Sequence, residues 1–288
     1  MSRSQIPFRY DYVGSFLRPE ELKQARAAFA EGKISQEQLT RVEDECITQL
    51  VKKQKELGYH VITDGEFRRS YWHLDFMWGL NGIEHIELDH GYYFHGEETT
   101  HGSCRNLQLD DCTWGMIVDE GYRKARISEG VSLEEEAAAY LKVNNLALAN
   151  LPEDLRVATH ICRGNYHSAY ACSGPYDKAA PYVFAQENVD AFYLEFDDAR
   201  SGSFDCLAQI PAGKKVVLGL VTTKNPALEN KEDVIRRIHE AAAFVPLENL
   251  CLSPQCGFAS CEIGNKLTPE EQWKKMELVR EIAEEVWQ

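Results

Sequence analysis

The chain has 288 residues, 44% of them hydrophobic, with 46 acidic against 31 basic side chains and a formal net charge of −15. That is enough apolar sequence for one sizeable core, and α/β barrels of this length are commonly single domains. The negative charge argues against nucleic acid or an anionic membrane as the main partner, because both select basic surface.

No apolar run approaches the roughly 18 residues of a membrane span, and the polar first ten residues lack the apolar stretch of a signal peptide. A cytoplasmic location, where thiols stay reduced, is expected. Nine cysteines are an odd number scattered along the chain. Most are expected to be free and buried.

In chain order, Tyr10 to Phe16 reads as a first strand ending at Gly14-Ser15, and Pro19 suits the first turn of a helix reaching about Ala30. Ser35 to Gln38 is a capping box opening a long helix with Leu39, Val42, Cys46, Ile47, Leu50 and Val51 at helical spacing, closed by Gly58. His60 to Glu66 reads as a second strand with acids at its end. Residues 67–101 show no helix but many aromatics, and 82–88 with 92–95 suggest a hairpin. A long aromatic loop after a strand is either a substrate cover or a satellite hydrophobic cluster.

Cys104 to Asp111 reads as the next strand, again with an acidic end, and Ser132 with Glu135 opens a helix towards Asn150. Strands follow at 156–162, 191–198, 215–222 and 250–257. Helices are expected at 231–243 and, capped by Thr268 and Glu271, from there to the end. This alternation implies a parallel sheet with right-handed crossovers and polar residues at the strand ends, as in a TIM (β/α)8 barrel. Seven strand signals are counted, not eight.

His160 and Cys162 are two residues apart, so on a strand an imidazole and a thiol emerge side by side. Glu195 and Cys256 sit at the ends of later strands. In a barrel these ends converge on one mouth. One imidazole, two thiolates and one carboxylate suit four-coordinate zinc. Such an ion could also take a substrate thiol and hold it ionised near neutral pH, below the free-thiol pKa of about 8.5.

Five motifs then carry a resemblance over nearly the whole chain. They are Val13-Gly14-Ser15-Phe16, Asp64-Gly65-Glu66-Phe67-Arg68-Arg69, Leu107-Gln108-Leu109-Asp110-Asp111, His160-Ile161-Cys162-Arg163-Gly164-Asn165 and Ser253-Pro254-Gln255-Cys256-Gly257-Phe258. The chain resembles the cobalamin-independent methionine synthase family, in particular short single-barrel relatives of its C-terminal catalytic half. The resemblance implies zinc on His160, Cys162, Glu195 and Cys256. It implies that Ser15, Glu66 and Asp110 hold the amino-acid end of homocysteine, and that a methylated folate is the default donor.

Two departures stand out. Gly219-Leu220-Val221-Thr222-Thr223-Lys224 contains no histidine, where full-length synthases carry one thought to help protonate the folate leaving group. Residues 94–99 also run almost straight into Ser103-Cys104, so the resemblance implies that the third βα unit of a single 1–288 barrel domain is missing near 99–103. Three functions stay open: a zinc-dependent S-methyltransferase making methionine from homocysteine; a zinc-dependent transferase or lyase for another thiol; and an impaired barrel that only binds zinc or a partner.

Overall fold

The computed structural model describes residues 7–81, 83–99, 102–105, 113–152 and 155–287. Its chain alternates helices and strands around a parallel sheet, an α/β architecture. Helix α1 (Glu20–Ala30) starts at Pro19, whose fixed φ of −58° is already suited to a helix entrance. Helix α2 (Gln36–Glu56) opens on the expected capping box: Ser35 accepts from the Gln38 amide, and the Gln38 side chain accepts from the Ser35 amide.

The aromatic stretch holds a short helix, α3 (Leu74–Trp78), which the sequence did not announce. Four short strands follow: β1 (Glu84–Glu87), β2 (Tyr93–Phe94), β3 (Glu97–Glu98) and β4 (Gly102–Arg105). The expected hairpin is corrected. β2 pairs with β3 around a turn in which Gly96 takes φ +86°, while β1 pairs antiparallel with β4. The inner hairpin is closed by Thr99, whose amide donates to Tyr92 O and whose hydroxyl accepts from the Tyr92 amide. The strand expected over 104–111 is therefore corrected at its start, since Cys104 and Arg105 belong to this antiparallel ribbon. The rest of it, Asp110 included, lies outside the described residues.

Helices α4 (Thr113–Val118), α5 (Glu120–Ser128) and α6 (Leu133–Ala147) lead to the sheet; Asp119 and Ser132 cap the last two by accepting from Tyr122 and Glu135 amides. The sheet consists of β5 (Ala158–Ile161), β6 (Ala191–Glu195), β7 (Lys215–Val221) and β8 (Leu250–Pro254), all parallel and in that spatial order. Helix α7 (Val183–Gln186) precedes β6, α8 (Lys231–Ala241) follows β7, and α9 (Pro269–Val286) follows β8. The strands are continuous apolar runs because both sheet faces are covered. Phe192, Leu194, Val216, Leu218 and Leu250 join Ile238 of α8 and Val279 and Ile282 of α9 in one core. A second core gathers Phe16, Leu22, Cys46, Leu50, Phe67, Phe258 and Met276 between α1, α2 and α9.

Two expected strands are corrected to irregular backbone. At 10–16 only Tyr10 bridges β8, at Leu252. Beyond it the Ser15 amide turns back onto Val13 O, at 2.7 Å, and Gly14 has φ +32°, so the ladder ends. At 60–66 side chains occupy the ladder groups: Gln54 bonds both the amide and the carbonyl of Thr63, and the Tyr12 hydroxyl bonds Val61 O. Among the described residues the parallel sheet thus has four strands plus one bridge rather than seven strands. No helix among these residues is long and apolar enough to cross a membrane.

Candidate metal centre

Three neighbouring strands deliver four side chains to one point. His160 lies in β5 and Cys162 just beyond it, with the buried Ile161 between them facing the core. Glu195 is the last residue of β6, and Cys256 stands two residues past β8. One ligand atom from each of His160, Cys162, Glu195 and Cys256 falls within 4.8 Å of every other. Glu195 is fully buried; its Oε1 accepts from the Arg163 amide at 2.9 Å and lies 3.7 Å from His160 Nε2.

The electrostatics fit a cation. Among the described residues, the buried ring nitrogens of His160 and Oε2 of Glu195 meet no nitrogen or oxygen hydrogen-bond partner, whereas buried polar atoms are normally satisfied. The Cys162 thiol, by hydrogen bonding, and burial together push the Cys256 thiol well up. Burial pushes Glu195 up as well. A divalent ion reverses both trends, because coordinating thiols are deprotonated outright. The nitrogen, sulfur and oxygen donors present are those of tetrahedral zinc sites.

The loops carrying these ligands are tied together. Asn165 and Thr223 side chains both donate to Gly257 O, at 2.6 and 3.0 Å, and the Thr223 amide donates to Gln255 Oε1 at 2.6 Å. A Cβ on Gly257 would collide with the Ser15 hydroxyl, so this turn admits only glycine. Two supporting residues escaped sequence reasoning. The Tyr176 hydroxyl accepts from the Glu195 amide at 3.0 Å and donates to its carbonyl at 3.3 Å. The fully buried Arg163 guanidinium lies 4.1 Å over the Tyr176 ring. No spacing rule links them; only the position of Arg163 beside Cys162 hinted at a role.

Ser15 lies against the turn that follows Cys256, and Glu66 lies against Gly14, the residue before Ser15. Ser15 is buried, its Oγ accepts from the Ala259 amide, and its carbonyl accepts from Phe258. Glu66 adopts φ +61°, a left-handed conformation that is uncommon outside glycine and is found at functional sites. Arg18 Nη2 donates to Glu66 O at 2.8 Å, holding that backbone. The Glu66 carboxyl lies close under Gly14, and its buried Oε2 has no hydrogen-bond partner among the described residues. Burial raises its pKa against the pull of Arg18 and Arg69. Asp110, expected beside them, lies outside the described residues.

The aromatic stretch lies across the same loops. The Trp72 amide donates to Ser260 O at 3.1 Å and Glu262 to Ser70 O at 2.8 Å, beyond Cys256. Phe94 packs on Tyr166, and the His95 amide donates to Tyr170 O at 2.9 Å, beyond Cys162.

Comparison with known proteins places the chain as a whole in a family. The model of the cobalamin-independent synthase catalytic domain matches residues 10–93 and 104–285. Two uncharacterized Bacillus subtilis proteins, YxjG and YxjH, are 38% and 39% identical, covering 100% and 98% of this chain and 97% and 96% of theirs. A Pyrococcus abyssi methionine synthase is 27% identical over 44% of this chain and 38% of its own length. Among solved structures, a Listeria monocytogenes protein assigned as a vitamin-B12-independent methionine synthase is 30% identical, with TM-score 0.73 over 98% of each chain. A B12-independent methionine synthase from Shewanella shares the fold at 17% identity, with TM-score 0.57 over 96% of this chain and 97% of that one. By the extent of these matches, the chain belongs to the catalytic-domain family of the cobalamin-independent methionine synthases, which transfer methyl groups to homocysteine.

Proposed function

We propose that this chain is a zinc-dependent thiol-alkylating enzyme, with homocysteine as its default thiol. The observation that carries it is the convergence of His160, Cys162, Glu195 and Cys256 within 4.8 Å, three of their atoms being buried without a nitrogen or oxygen partner among the described residues. Bound there, zinc would supply a positive charge that keeps a substrate sulfur ionised near neutral pH. Glu66, its backbone held by Arg18 and its carboxyl under Gly14, offers a partly buried carboxylate to the ammonium group of an amino-acid thiol. Asp110 joins it in that role. The aromatic stretch over the loops at 164–170 and 257–262 excludes water from the sulfur. The sulfur attacks the donor carbon in line; the S–C bond forms as the bond to the leaving group breaks, and a leaving nitrogen takes up a proton.

A methylated folate is the family's donor. A second reading, another thiol and electrophile, is favoured by the absence of a histidine from 219–224, where Lys224 stands instead. The barrel assignment and its gap belong to this proposal. The family match breaks between residues 93 and 104, and the Bacillus subtilis YxjG alignment runs over 365 positions against 288 residues here. Both support a single TIM-type barrel domain spanning 1–288 and shortened by its third βα unit. A cytoplasmic location fits the seven free cysteines among the described residues. Metal analysis of purified protein tests the centre. About one zinc per chain is expected for a site with four protein ligands, and less in Cys162→Ser and Cys256→Ser. Equal zinc in all three proteins would remove the site.

A further inference from the structure

The turn at 166–169 carries two strained residues. Tyr166 and Ala169 close it by exchanging amide–carbonyl bonds of 3.0 and 2.7 Å. Between them His167 and Ser168 take φ +46° and +69°. Turns of this kind normally place asparagine or glycine there, and strained side chains gather at functional sites. On one side the turn is tied down: the Ser168 amide donates to Asn265 Oδ1 and the Lys266 amide to Ser168 Oγ, each at 2.9 Å. On the other side stands the β2–β3 hairpin. One Glu97 oxygen lies 3.3 Å from His167 Nδ1, and the other pairs with the Lys266 ammonium. A cleft of about 170 Å³ lined by His95, Glu97, His167 and Lys266 lets water and salt reach both pairs.

Earlier in the same hairpin, Phe94 covers the loop of Cys162. Its Cε1 lies 2.7 Å from where a Cβ on Gly164 would stand, and the Gly164 amide donates to Cys162 Sγ at 3.3 Å. The hairpin's strands are two residues long, Tyr92 and Tyr93 are exposed, and the His95 amide ties it to Tyr170 O. A segment with few buried contacts opens locally at low cost. Part-exposed charge pairs are individually weak and are screened by salt. We propose that the β2–β3 hairpin is a strap over the Cys162 loop, latched by Glu97 between His167 and Lys266, whose opening lets a small thiol reach Cys162. This deepens the reading of the aromatic stretch as a cover and rests on that reading for what passes beneath it. The latch itself stands on these contacts, with or without a bound ion.

The test reads the full chain in two ways, for wild type, Glu97→Gln and Lys266→Met. Hydrogen exchange follows the His95 amide, which docks the strap, and the Thr99 amide, which bonds Tyr92 O inside the hairpin. Alkylation by N-ethylmaleimide after chelator treatment follows Cys162, with Cys46 on α2 as the remote control. Glu97→Gln is expected to exchange His95 about 3–10-fold faster at about 0.05 M salt, the effect of losing two part-exposed pairs. Cys162 should react faster by a similar factor, while Thr99 and Cys46 keep their wild-type rates. Lys266→Met should move His95 and Cys162 in the same direction. At about 1 M salt the three proteins are expected to agree within about twofold, because screening loosens the wild-type latch too. An unchanged His95 rate in both variants overturns the latch. Equal acceleration of His95 and Thr99 also overturns it, since the hairpin would then be unfolding rather than swinging. Faster His95 exchange with unchanged Cys162 alkylation overturns the strap's control of access. Zinc content, which tests the proposed function, enters none of these outcomes.

Discussion

Residues 157–287 and residues 70–105 are built to different standards. In the first region four parallel strands are hydrogen-bonded in register, and β7 is buried along its length beyond Lys215. In the second, a one-turn helix and two-stranded ribbons of two to four residues leave Phe76, Tyr92 and Tyr93 with 62–71% of their surface exposed. All four candidate metal ligands come from the first region. The amino-acid side of the candidate pocket, at Glu66, adjoins the second. A proposed metal centre and a proposed substrate pocket can therefore have separate fates in one chain: the four ligands stand on strands paired in register, while the pocket adjoins the ribbon beside the proposed gap.

The strongest way to break this contrast is to move the metal loss to the wrong region. Glu195→Ala is expected to weaken zinc binding by more than about 100-fold, beyond the 10–100-fold typical of a merely supporting residue. Cys46→Ser on α2, buried in the second core, should leave zinc content unchanged. Equal losses in a chelator titration would show that the ligands are not where the geometry puts them.

Next comes the gap. A family-type strand–helix unit inserted between Thr99 and Ser103 buries many side chains, each worth about 1.5–3 kcal/mol. It is expected to raise unfolding free energy by at least about 3 kcal/mol, a large share of the usual 5–15, and to raise turnover of homocysteine with a methyl donor. The chain without the insert is expected to bind zinc and turn over little. Full turnover and an unchanged denaturation midpoint without the insert would remove the gap from the account.

A smaller effect sits beside the sheet, where Asp11 accepts from the Tyr193 hydroxyl of β6. Burial lifts Asp11 from 3.8 to about 6, against hydrogen bonds from Tyr193 and the Tyr12 amide. The folded chain thus holds this proton more tightly than the unfolded one. The stabilisation from this group is complete below about pH 4 and is lost as pH rises to 6, at most about 3 kcal/mol. Urea titrations of wild type and Asp11→Asn across that window should diverge in slope; parallel curves would rule it out.

The smallest effect sharpens the pocket side. Glu66→Gln is expected to weaken homocysteine binding about tenfold, the scale of a charge-assisted hydrogen bond, and to leave mercaptoethanol binding nearly unchanged. Equal losses for both thiols would argue against an amino-acid substrate.

What could be read from the sequence follows the same division. The capping boxes at Ser35 and Thr268 and the four apolar strands are local signals, and the structure has them within two or three residues. The meeting of His160, Cys162, Glu195 and Cys256 was legible because parallel strands send their ends to one side. The antiparallel ribbon was not, because strands of two residues carry no periodicity and their pairing is set by Gly96 and Thr99. Arg163 and Tyr176 support Glu195 through backbone atoms, which leave no pattern of residue types.

The Gln54 amide has a consequence of its own. Its nitrogen and oxygen engage Thr63 as a neighbouring peptide group would, at 2.9 and 3.0 Å. An unfinished sheet offers rungs on which a stray extended chain can climb, and native proteins blunt such edges. Here a side chain imitates the absent neighbour and the rungs are already taken. A strand from a second molecule that reached this margin would have to evict a fully buried glutamine from its own helix before it could pair.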